Sequence, residues 1–277
     1  MRQKVNLNAY FERIGFVGSI APTLATLEQL HALHPAAIPF ENLDPVMGKP
    51  VLLDQASLEQ KMLRDGRGGY CFEHNTLFMN ELRDLDYTVR PYAARMLWGH
   101  PEGGASMISH MVLVADISGS SYLCDVGSSI FTLTAPLKLR DGVEQQAGNE
   151  LFRLSKLDEL WRLEVQVGEE WRGVYQFELV EQNDSDIAAI NSLVETEYFK
   201  QALLFASRTD KDAQSALSGN RLSIYRPGVE RERRHAEDIE GLKTMLTEVF
   251  RITLPPAEAL DPALERVFAA VRAKAEG

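Results

Sequence analysis

The sequence predicts an α+β fold, because three kinds of hydrophobic pattern follow one another along its 277 residues. Apolar positions with helical spacing, such as Leu24 and Leu27, recur in the first part. Short β-rich runs at regular intervals follow, which favours a barrel or a sandwich. The last third mixes both patterns. We therefore expect three domains, at residues 1–86, 87–183 and 184–277.

The helical first part has predicted helix ends. Thr23 is the expected N-cap of the helix that contains Leu24 and Leu27, and Pro35 is expected to end it. Ser57 and Gln60 have the spacing of a capping box for a further helix.

The last helix of the chain also has a predicted start. Asp261 is the expected cap, and Pro262 follows at the first helical position, where its missing N–H costs nothing.

A glycine pair precedes a cysteine in residues 67–75 (RGGYCFEHN), where a helical pattern begins. In the first turn of a helix, unpaired N–H groups and the helix dipole favour the thiolate of Cys71, the reactive form. Gly68 and Gly69 permit a tight turn and a close approach of a substrate carbonyl. Most free cysteines are simply small buried hydrophobes, so the position of Cys71 alone does not make it catalytic. A cysteine nucleophile also needs a base and a group that orients the base.

His110 and Asp125 are the candidate partners. His110 opens a β-rich run at residues 109–114, and Asp125 lies in a second run at residues 121–127. The serine- and glycine-rich segment between them predicts a hairpin that brings the two side chains together. Singly, each residue has a structural explanation: a hydrogen-bonded core histidine and a turn former.

Taken in order, these blocks resemble the arylamine N-acetyltransferase family. Residues 67–75 are similar to its cysteine motif, residues 109–111 to its histidine motif and residues 125–127 to its aspartate motif. Residues 38–44 (IPFENLD) are similar to its first block. Each tripeptide is weak alone, but the ordered set is specific.

The resemblance implies an N-terminal helical bundle, a central antiparallel β-barrel and a C-terminal α/β lid, with a site geometry like that of cysteine proteases. It implies a catalytic triad of Cys71, His110 and Asp125. Through an acetyl-Cys71 intermediate, the triad would transfer acetyl from acetyl-coenzyme A to the nitrogen of an arylamine or arylhydrazine. Acetyl-coenzyme A would be a co-substrate, with no bound cofactor and no metal.

The resemblance also implies roles for residues around the triad. Expected to contact substrate are Phe40, Gly69, Tyr70, Gly127 and Ser128. Expected to support the site are Glu41, Asn42 and Arg67, the first and last as a buried ion pair.

Ser128 and Ser129 stand where the family usually has an aromatic residue and a glycine. We therefore expect weak turnover of small arylamines, or a bulkier or more polar acceptor.

Other functions fit parts of the pattern. A thiol hydrolase of acyl or amide substrates uses the same nucleophile, base and carboxylate. An amide synthase that closes a ring on a thioester-tethered substrate is a further alternative. A binding module with a degenerate site is the non-enzymatic one. The full set of blocks around Glu41, Arg67 and Asp125 favours the transferase over each of them.

Composition favours a cytoplasmic protein. The net charge of −11 disfavours nonspecific nucleic-acid binding. No apolar run is long enough to span a membrane, and residues 1–6 lack the apolar stretch of a signal peptide. Two cysteines are too few for a disulfide framework. We expect small-molecule substrates, no nucleic-acid or membrane partner, and a monomer or homodimer.

Three further features could suggest function, but we favour a structural explanation for each. His31 and His34 lie on a leucine-rich helix, where solvated or capping histidines are commoner than metal ligands. Cys124 should face away from the site if Asp125 faces it, because successive strand residues point to opposite sides. The basic cluster at residues 226–235 has glutamates between its arginines, which is more typical of a solvated turn than of a site for coenzyme A phosphates.

Overall fold

The structure, a computed structural model, describes residues 5–99 and 107–276. Its helices are α1 (Leu7–Ile14), α2 (Leu24–Ala37), α3 (Leu43–Val46), α4 (Gln55–Leu58), α5 (Cys71–Asp84), α6 (Asp184–Gln201), α7 (Ile239–Glu248) and α8 (Ala257–Glu276), and a π-helical segment, Glu59–Arg64, continues α4. Its strands are β1 (Phe40–Glu41), β2 (Thr88–Met96), β3 (Ile108–Ile117), β4 (Ser120–Cys124), β5 (Leu137–Lys138), β6 (Glu144–Ala147), β7 (Glu150–Leu157), β8 (Leu160–Val167), β9 (Glu170–Glu181), β10 (Phe205–Thr209), β11 (Gln214–Ser218), β12 (Arg221–Tyr225) and β13 (Glu232–His235). This order confirms the predicted α+β class. Residues 1–4, part of the segment used to exclude a signal peptide, lie outside the described residues.

Helices α1, α2 and α5 pack on a common hydrophobic core and form the N-terminal bundle. Thr23 caps α2 as predicted, since its hydroxyl oxygen accepts from the backbone N–H of Thr26 at 3.2 Å. The prediction that Pro35 ends this helix is wrong, because α2 continues to Ala37. A proline in the last turn removes only one N–H, and burial of Pro35 and the neighbouring His34 holds that turn in place.

Two other helix starts differ from their predictions. The cap of α4 is Asp54, whose carboxylate accepts from the backbone N–H of Ser57 at 3.1 Å, so Ser57 is a capped residue and not the cap. Helix α8 begins at Ala257, one turn before the predicted Asp261, because the carbonyl of Pro256 accepts from Leu260 N at 3.1 Å. In both cases a residue upstream of the expected cap already satisfies the first N–H groups.

Eight antiparallel strands form the central sheet, in the order β5-β4-β3-β2-β9-β8-β7-β6. The side chain of Gln145 on β6 joins the two edge strands, because it accepts from Lys138 N at 2.7 Å and donates to Lys138 O at 2.9 Å on β5. The sheet therefore nearly closes on itself. Between a barrel and a sandwich, the barrel is confirmed.

The hairpin predicted between His110 and Asp125 is confirmed. Strands β3 and β4 pair antiparallel around the two-residue turn Ser118–Gly119, in which both residues have positive φ, as such tight turns require. Strand β4 ends at Cys124, so Asp125 follows the strand and does not lie within it.

The C-terminal third is tied to the first part of the chain by a second sheet. Its order is β1-β10-β11-β12-β13, and β1 pairs with β10 through Phe40 and Ser207. Helices α7 and α8 contribute to a separate hydrophobic core that includes Leu242 and Leu264. Strand β1, which also bridges to the cysteine turn between Phe40 and Gly69, is thus part of the sheet of the predicted α/β lid.

The basic cluster lies on the hairpin of β12 and β13. Arg226 and Arg234 are exposed, and both pair with Glu232. These contacts agree with a charged surface turn. None of the helices in the described ranges is long and apolar enough to cross a membrane.

Candidate active site

The structure brings the three predicted catalytic residues together. Cys71 is the first residue of α5, His110 lies near the start of β3, and Asp125 follows β4. All three are buried. His110 Nε2 lies 2.7 Å from Asp125 Oδ2, and Cys71 Sγ lies 3.7 Å from the carbonyl oxygen of the adjacent Ser109. Because Nε2 is used by Asp125, Nδ1 is the ring nitrogen left for Cys71.

The charge on Asp125 dominates the electrostatics of the site. Burial alone would lower the pKa of His110, but the charge of Asp125 and hydrogen bonds to Asp125 and Cys71 raise that pKa to about 10. Burial alone would raise the pKa of Asp125, but His110 and two hydrogen-bond donors hold it below its usual value. At neutral pH the pair is therefore an imidazolium and a carboxylate, with the cation beside the sulfur of Cys71.

Asn75 holds the aspartate loop against the cysteine helix. Its side-chain amide donates to Asp125 Oδ1 at 2.9 Å and to Met111 O at 2.7 Å, and its oxygen accepts from Val126 N at 3.1 Å. Sequence reasoning assigned it no role. Its spacing of four residues from Cys71, which places both on one helix face, is the signal that points to it.

His31 contacts the same aspartate from helix α2. Its Nε2 accepts a hydrogen bond from the backbone N–H of Asp125 at 3.1 Å. The prediction that His31 and His34 are solvated or capping residues is wrong, because both are fully buried. Helical spacing from Leu27 placed them near an apolar face, but only the packing of distant segments supplies their partners.

The glycines near the site permit close packing of the backbone. A Cβ at Gly68 would lie 1.9 Å from the carbonyl oxygen of Pro39, and one at Gly69 would lie 2.8 Å from Glu73 Cβ. A Cβ at Gly127 would lie 2.9 Å from Cys71 Cα. Gly68 and Gly69 therefore make room for the protein's own chain, and Gly127 lets the aspartate loop touch the cysteine backbone.

A buried cluster of charges supports the cysteine turn. Arg67 donates to Glu41 Oε1 at 2.8 Å and to Asp44 Oδ1 at 3.1 Å. Lys61 Nζ lies between two carboxylates, 2.6 Å from Asp44 Oδ2 and 2.7 Å from Glu73 Oε1. The geometry contains the expected pair of Glu41 and Arg67, and adds three partners that sequence reasoning did not assign.

Asn42 ties the first block to the C-terminal sheet. Its side chain donates to Leu203 O at 2.7 Å and accepts from Phe205 N at 2.8 Å.

The other residues expected to contact substrate are largely covered by protein. Phe40 is buried and stacks nearly parallel to His74, with ring centroids 6.4 Å apart. Tyr70 is fully buried, and its hydroxyl donates to the side chain of Asn191 on α6. Ser128 is buried, and its hydroxyl donates to Ile130 O at 2.5 Å. Tyr70 and Ser128 thus use their hydroxyl groups inside the protein.

Cys124 is the second free thiol, and it is fully buried. Its Sγ lies 3.7 Å from Tyr122 O, and burial raises its pKa. These surroundings do not favour a thiolate. Within residues 5–99 and 107–276, no three His, Cys, Asp or Glu side chains are grouped so that they could hold a metal ion.

Comparison with known proteins decides the family. A family model described as N-acetyltransferase matches residues 23–259. The arylamine N-acetyltransferase / N-hydroxyarylamine O-acetyltransferase of Salmonella typhimurium is 33% identical over 247 residues, 88% of each chain. The chain belongs to the arylamine N-acetyltransferase family. The resemblance found in the sequence is thereby confirmed, and this family member is an acyltransferase.

Relatives from mycobacteria agree with this assignment over the whole fold. The arylamine N-acetyltransferase of Mycobacterium tuberculosis is 36% identical over 257 residues, 90% of each chain. The arylamine N-acetyltransferase of Mycobacterium marinum, solved in complex with CoA, superposes with a TM-score of 0.88 at 34% identity, covering 95% of this chain and 99% of that one. The predicted bundle, barrel and lid are therefore those of the family.

Proposed function

We propose that this acyltransferase moves acetyl from acetyl-coenzyme A to the nitrogen of an arylamine or arylhydrazine through an acetyl-Cys71 intermediate. The observation that carries the proposal is the placement of His110, which is paired with Asp125 at 2.7 Å and whose pKa is raised by both Asp125 and Cys71. A nucleophile, a base and a group that orients the base are the parts that covalent acyl transfer needs.

The first half-reaction begins with Cys71 as thiolate beside the imidazolium of His110. The thiolate attacks the thioester carbonyl carbon, a C–S bond forms to Cys71, and the C–S bond to coenzyme A breaks. The departing thiolate takes the proton of His110. Backbone N–H groups at the start of α5 stabilise the negative oxygen of the intermediate, because they are free of helical partners.

The second half-reaction returns the site to its first state. The amine nitrogen attacks the acetyl-Cys71 carbonyl, neutral His110 takes the amine proton, and the thiolate leaves. Each proton released is accepted by a named group, so no bound cofactor is required. The CoA complex of the Mycobacterium marinum relative supports acetyl-coenzyme A as the donor. Two free cysteines suit the reducing cytoplasm.

Intact-mass spectrometry tests the intermediate. Incubation with acetyl-coenzyme A and no amine should add one acetyl group to the native chain and none to Cys71→Ala. Cys124→Ser is the matched control and should acetylate like the native chain. An adduct mapped to Cys124 would refute the assignment.

The same incubation separates transfer from hydrolysis. A transferase should release one equivalent of coenzyme A in a burst and then stall until an amine is added. Continuous release without an amine would instead identify a thiol hydrolase.

The acceptor preference is a further part of the proposal. Ser128 offers no aromatic surface beside Asp125, and a lost stacking contact is worth about 0.5–1.5 kcal/mol. We expect slow turnover of small anilines, and faster turnover in Ser128→Phe. Rates for a panel of anilines, hydrazines and aminophenols test this expectation. An unchanged acceptor ranking in Ser128→Phe would show that position 128 does not contact the acceptor.

A further inference from the structure

Helix α2 places two buried histidines one turn apart, and each is linked to a different half of the site. His31 accepts the backbone N–H of Asp125 at 3.1 Å. His34 is the centre of a chain of hydrogen bonds that runs towards the cysteine turn, with 2.9 Å from Tyr10 Oη to His34 Nδ1 and 2.9 Å from His34 Nε2 to His74 Nδ1. The proposed reaction uses none of these rings.

For neutral rings, this chain has only one possible direction. His74 Nε2 lies 3.1 Å from the carbonyl oxygen of Pro39, which can only accept, so Nε2 of His74 must carry the hydrogen. His74 Nδ1 then accepts from His34 Nε2–H. His34 Nδ1 in turn accepts from the hydroxyl of Tyr10.

The chain ends at the turn that precedes Cys71. The carbonyl of Pro39 also accepts from the backbone N–H of Gly69 at 3.4 Å, and Gly69 O accepts from Glu41 N at 2.7 Å. Gly68 packs so closely on Pro39 O that a side chain at position 68 would collide with it. A shift of Pro39 would therefore move the turn that carries the nucleophile.

All three rings are neutral in the folded protein. Burial, together with His74, His31 and Arg13, lowers the pKa of His34 well below its usual value. Burial lowers the pKa of His31 to about 4 and outweighs the opposing charge of Asp125. It likewise lowers the pKa of His74 to about 4, although the hydrogen bond to Pro39 and the charges of Glu41 and Asp125 oppose it. Lys61 acts in the same direction as burial at His74.

The neutral state of His31 also follows from its contact. A ring nitrogen that accepts an N–H carries no hydrogen, so the hydrogen of His31 is on Nδ1. That atom is buried and has no hydrogen-bond partner among the described residues.

We infer that His31 and His34 are positioning residues, one turn apart on α2, that hold Asp125 and the Cys71 turn in register. His31 acts on the main chain of Asp125, and His34 acts through His74 and Pro39. The inference rests on the proposed triad. The two can fail separately, because the direction of the hydrogen bonds between the histidine rings can be measured without any acetyl transfer.

The tautomers give a direct test. Long-range ¹H–¹⁵N spectra of the imidazole rings at neutral pH, assigned with single His→Gln variants, should show His34 and His74 protonated on Nε2 and His31 on Nδ1. His110 should appear as an imidazolium. Observation of His34 protonated on Nδ1 would overturn the inference, whether or not the chain transfers acetyl groups.

A pair of variants at His34 tests the effect on the site. A glutamine can accept from Tyr10 and donate to His74, whereas a leucine of similar size can do neither. We expect His34→Leu to slow alkylation of Cys71 by iodoacetamide, and kcat, about 10-fold to 100-fold, as a small misplacement of reacting groups does. The KM for acetyl-coenzyme A should stay near its native value. His34→Gln should restore most of the rate.

Tyr10→Phe provides a milder change if His34→Leu does not fold. It removes only the hydroxyl that donates to His34 Nδ1 and leaves the contact to His74, so His34 should stay protonated on Nε2 while the Cys71 alkylation rate falls. A native Cys71 alkylation rate in His34→Leu, or in Tyr10→Phe if His34→Leu does not fold, would overturn the inference. Equal losses in His34→Leu and His34→Gln would also do so, because packing alone would then explain them.

Discussion

Four buried histidines of this protein have pKa values shifted in opposite directions, raised for one and lowered for three, although burial lowers the pKa of each. The pKa of His110 is about 10, whereas those of His31 and His74 are about 4 and that of His34 is also lowered. Asp125 explains much of the contrast, because it offers its carboxylate to His110 and its backbone N–H to His31. A carboxylate favours the imidazolium, and an N–H donor requires a neutral nitrogen.

The comparison teaches that burial does not identify a catalytic histidine. The charge of the partner decides whether a buried ring can supply a proton or can only hold neighbouring atoms in place.

The largest expected effect comes from removal of the charge that distinguishes His110. Asp125→Asn keeps the size of the side chain but not its charge, so the pKa of His110 should fall towards those of the other three. Catalysis should fall about 10³-fold to 10⁴-fold, as for the loss of a triad carboxylate. Steady-state kcat/KM and an NMR titration of His110 measure both. A native His110 pKa in this variant would show that the charge of Asp125 does not set His110 apart from the other three histidines.

Two arginine ion pairs that differ in burial should likewise differ in their contribution to stability. Arg67→Gln leaves the carboxylate of Glu41 without its main partner and should cost about 3–5 kcal/mol of unfolding free energy. Arg90→Gln is the matched control, since the side chains of Arg90 and Asp116 are 38% and 31% exposed and their pair should contribute at most about 1 kcal/mol. Urea unfolding measures both variants, and equal losses would contradict the prediction.

The neutral histidines predict how stability changes in acid. The unfolded His74 takes up a proton near pH 6.5 and the folded one only near pH 4, so the stability contributed by its neutral ring is lost as pH falls through this window. The advantage of the native chain over His74→Gln should shrink by about 2 kcal/mol between pH 7 and 5. Urea unfolding at both pH values measures it, and a constant difference would contradict it.

His110 predicts a loss of stability at alkaline pH, opposite to the effect of His74. Its folded pKa is raised, so its contribution is full below pH 6.5 and is lost as pH rises towards 10. His110→Gln should therefore lose less stability than the native chain between pH 7 and 9. The same unfolding measurements apply, and a larger loss in the variant would show that the sign is wrong.

The smallest effect on activity is expected at the second cysteine. Cys124 shares burial with Cys71 but has no imidazolium beside it, so Cys124→Ser should keep kcat/KM near the native value. The buried hydroxyl should cost about 1–3 kcal/mol of stability. Cys71→Ser is the matched control and should be inactive. Similar activities for the two variants would remove the distinction between the thiols.

The amino-acid sequence by itself determined the parts of the site that depend on local pattern. Cys71 begins a helix because a glycine-containing turn precedes an uninterrupted helical pattern. His110 and Asp125 meet because two β-rich runs flank a short turn of serine and glycine residues, which makes the two runs an antiparallel hairpin. The ordered set of sequence blocks, at residues 38–44, 67–75, 109–111 and 125–127, was enough to indicate the family.

Only the tertiary structure decided which distant segments meet. The pairing of β1 with β10, the joining of Asp44 to Lys61, and the chain from Tyr10 through His34 connect residues far apart in sequence. A buried polar group needs a partner, but its own residue type does not say which one. Neighbouring residues could therefore predict the nucleophile and its helix, and only the packed fold could show how α2 holds the site together.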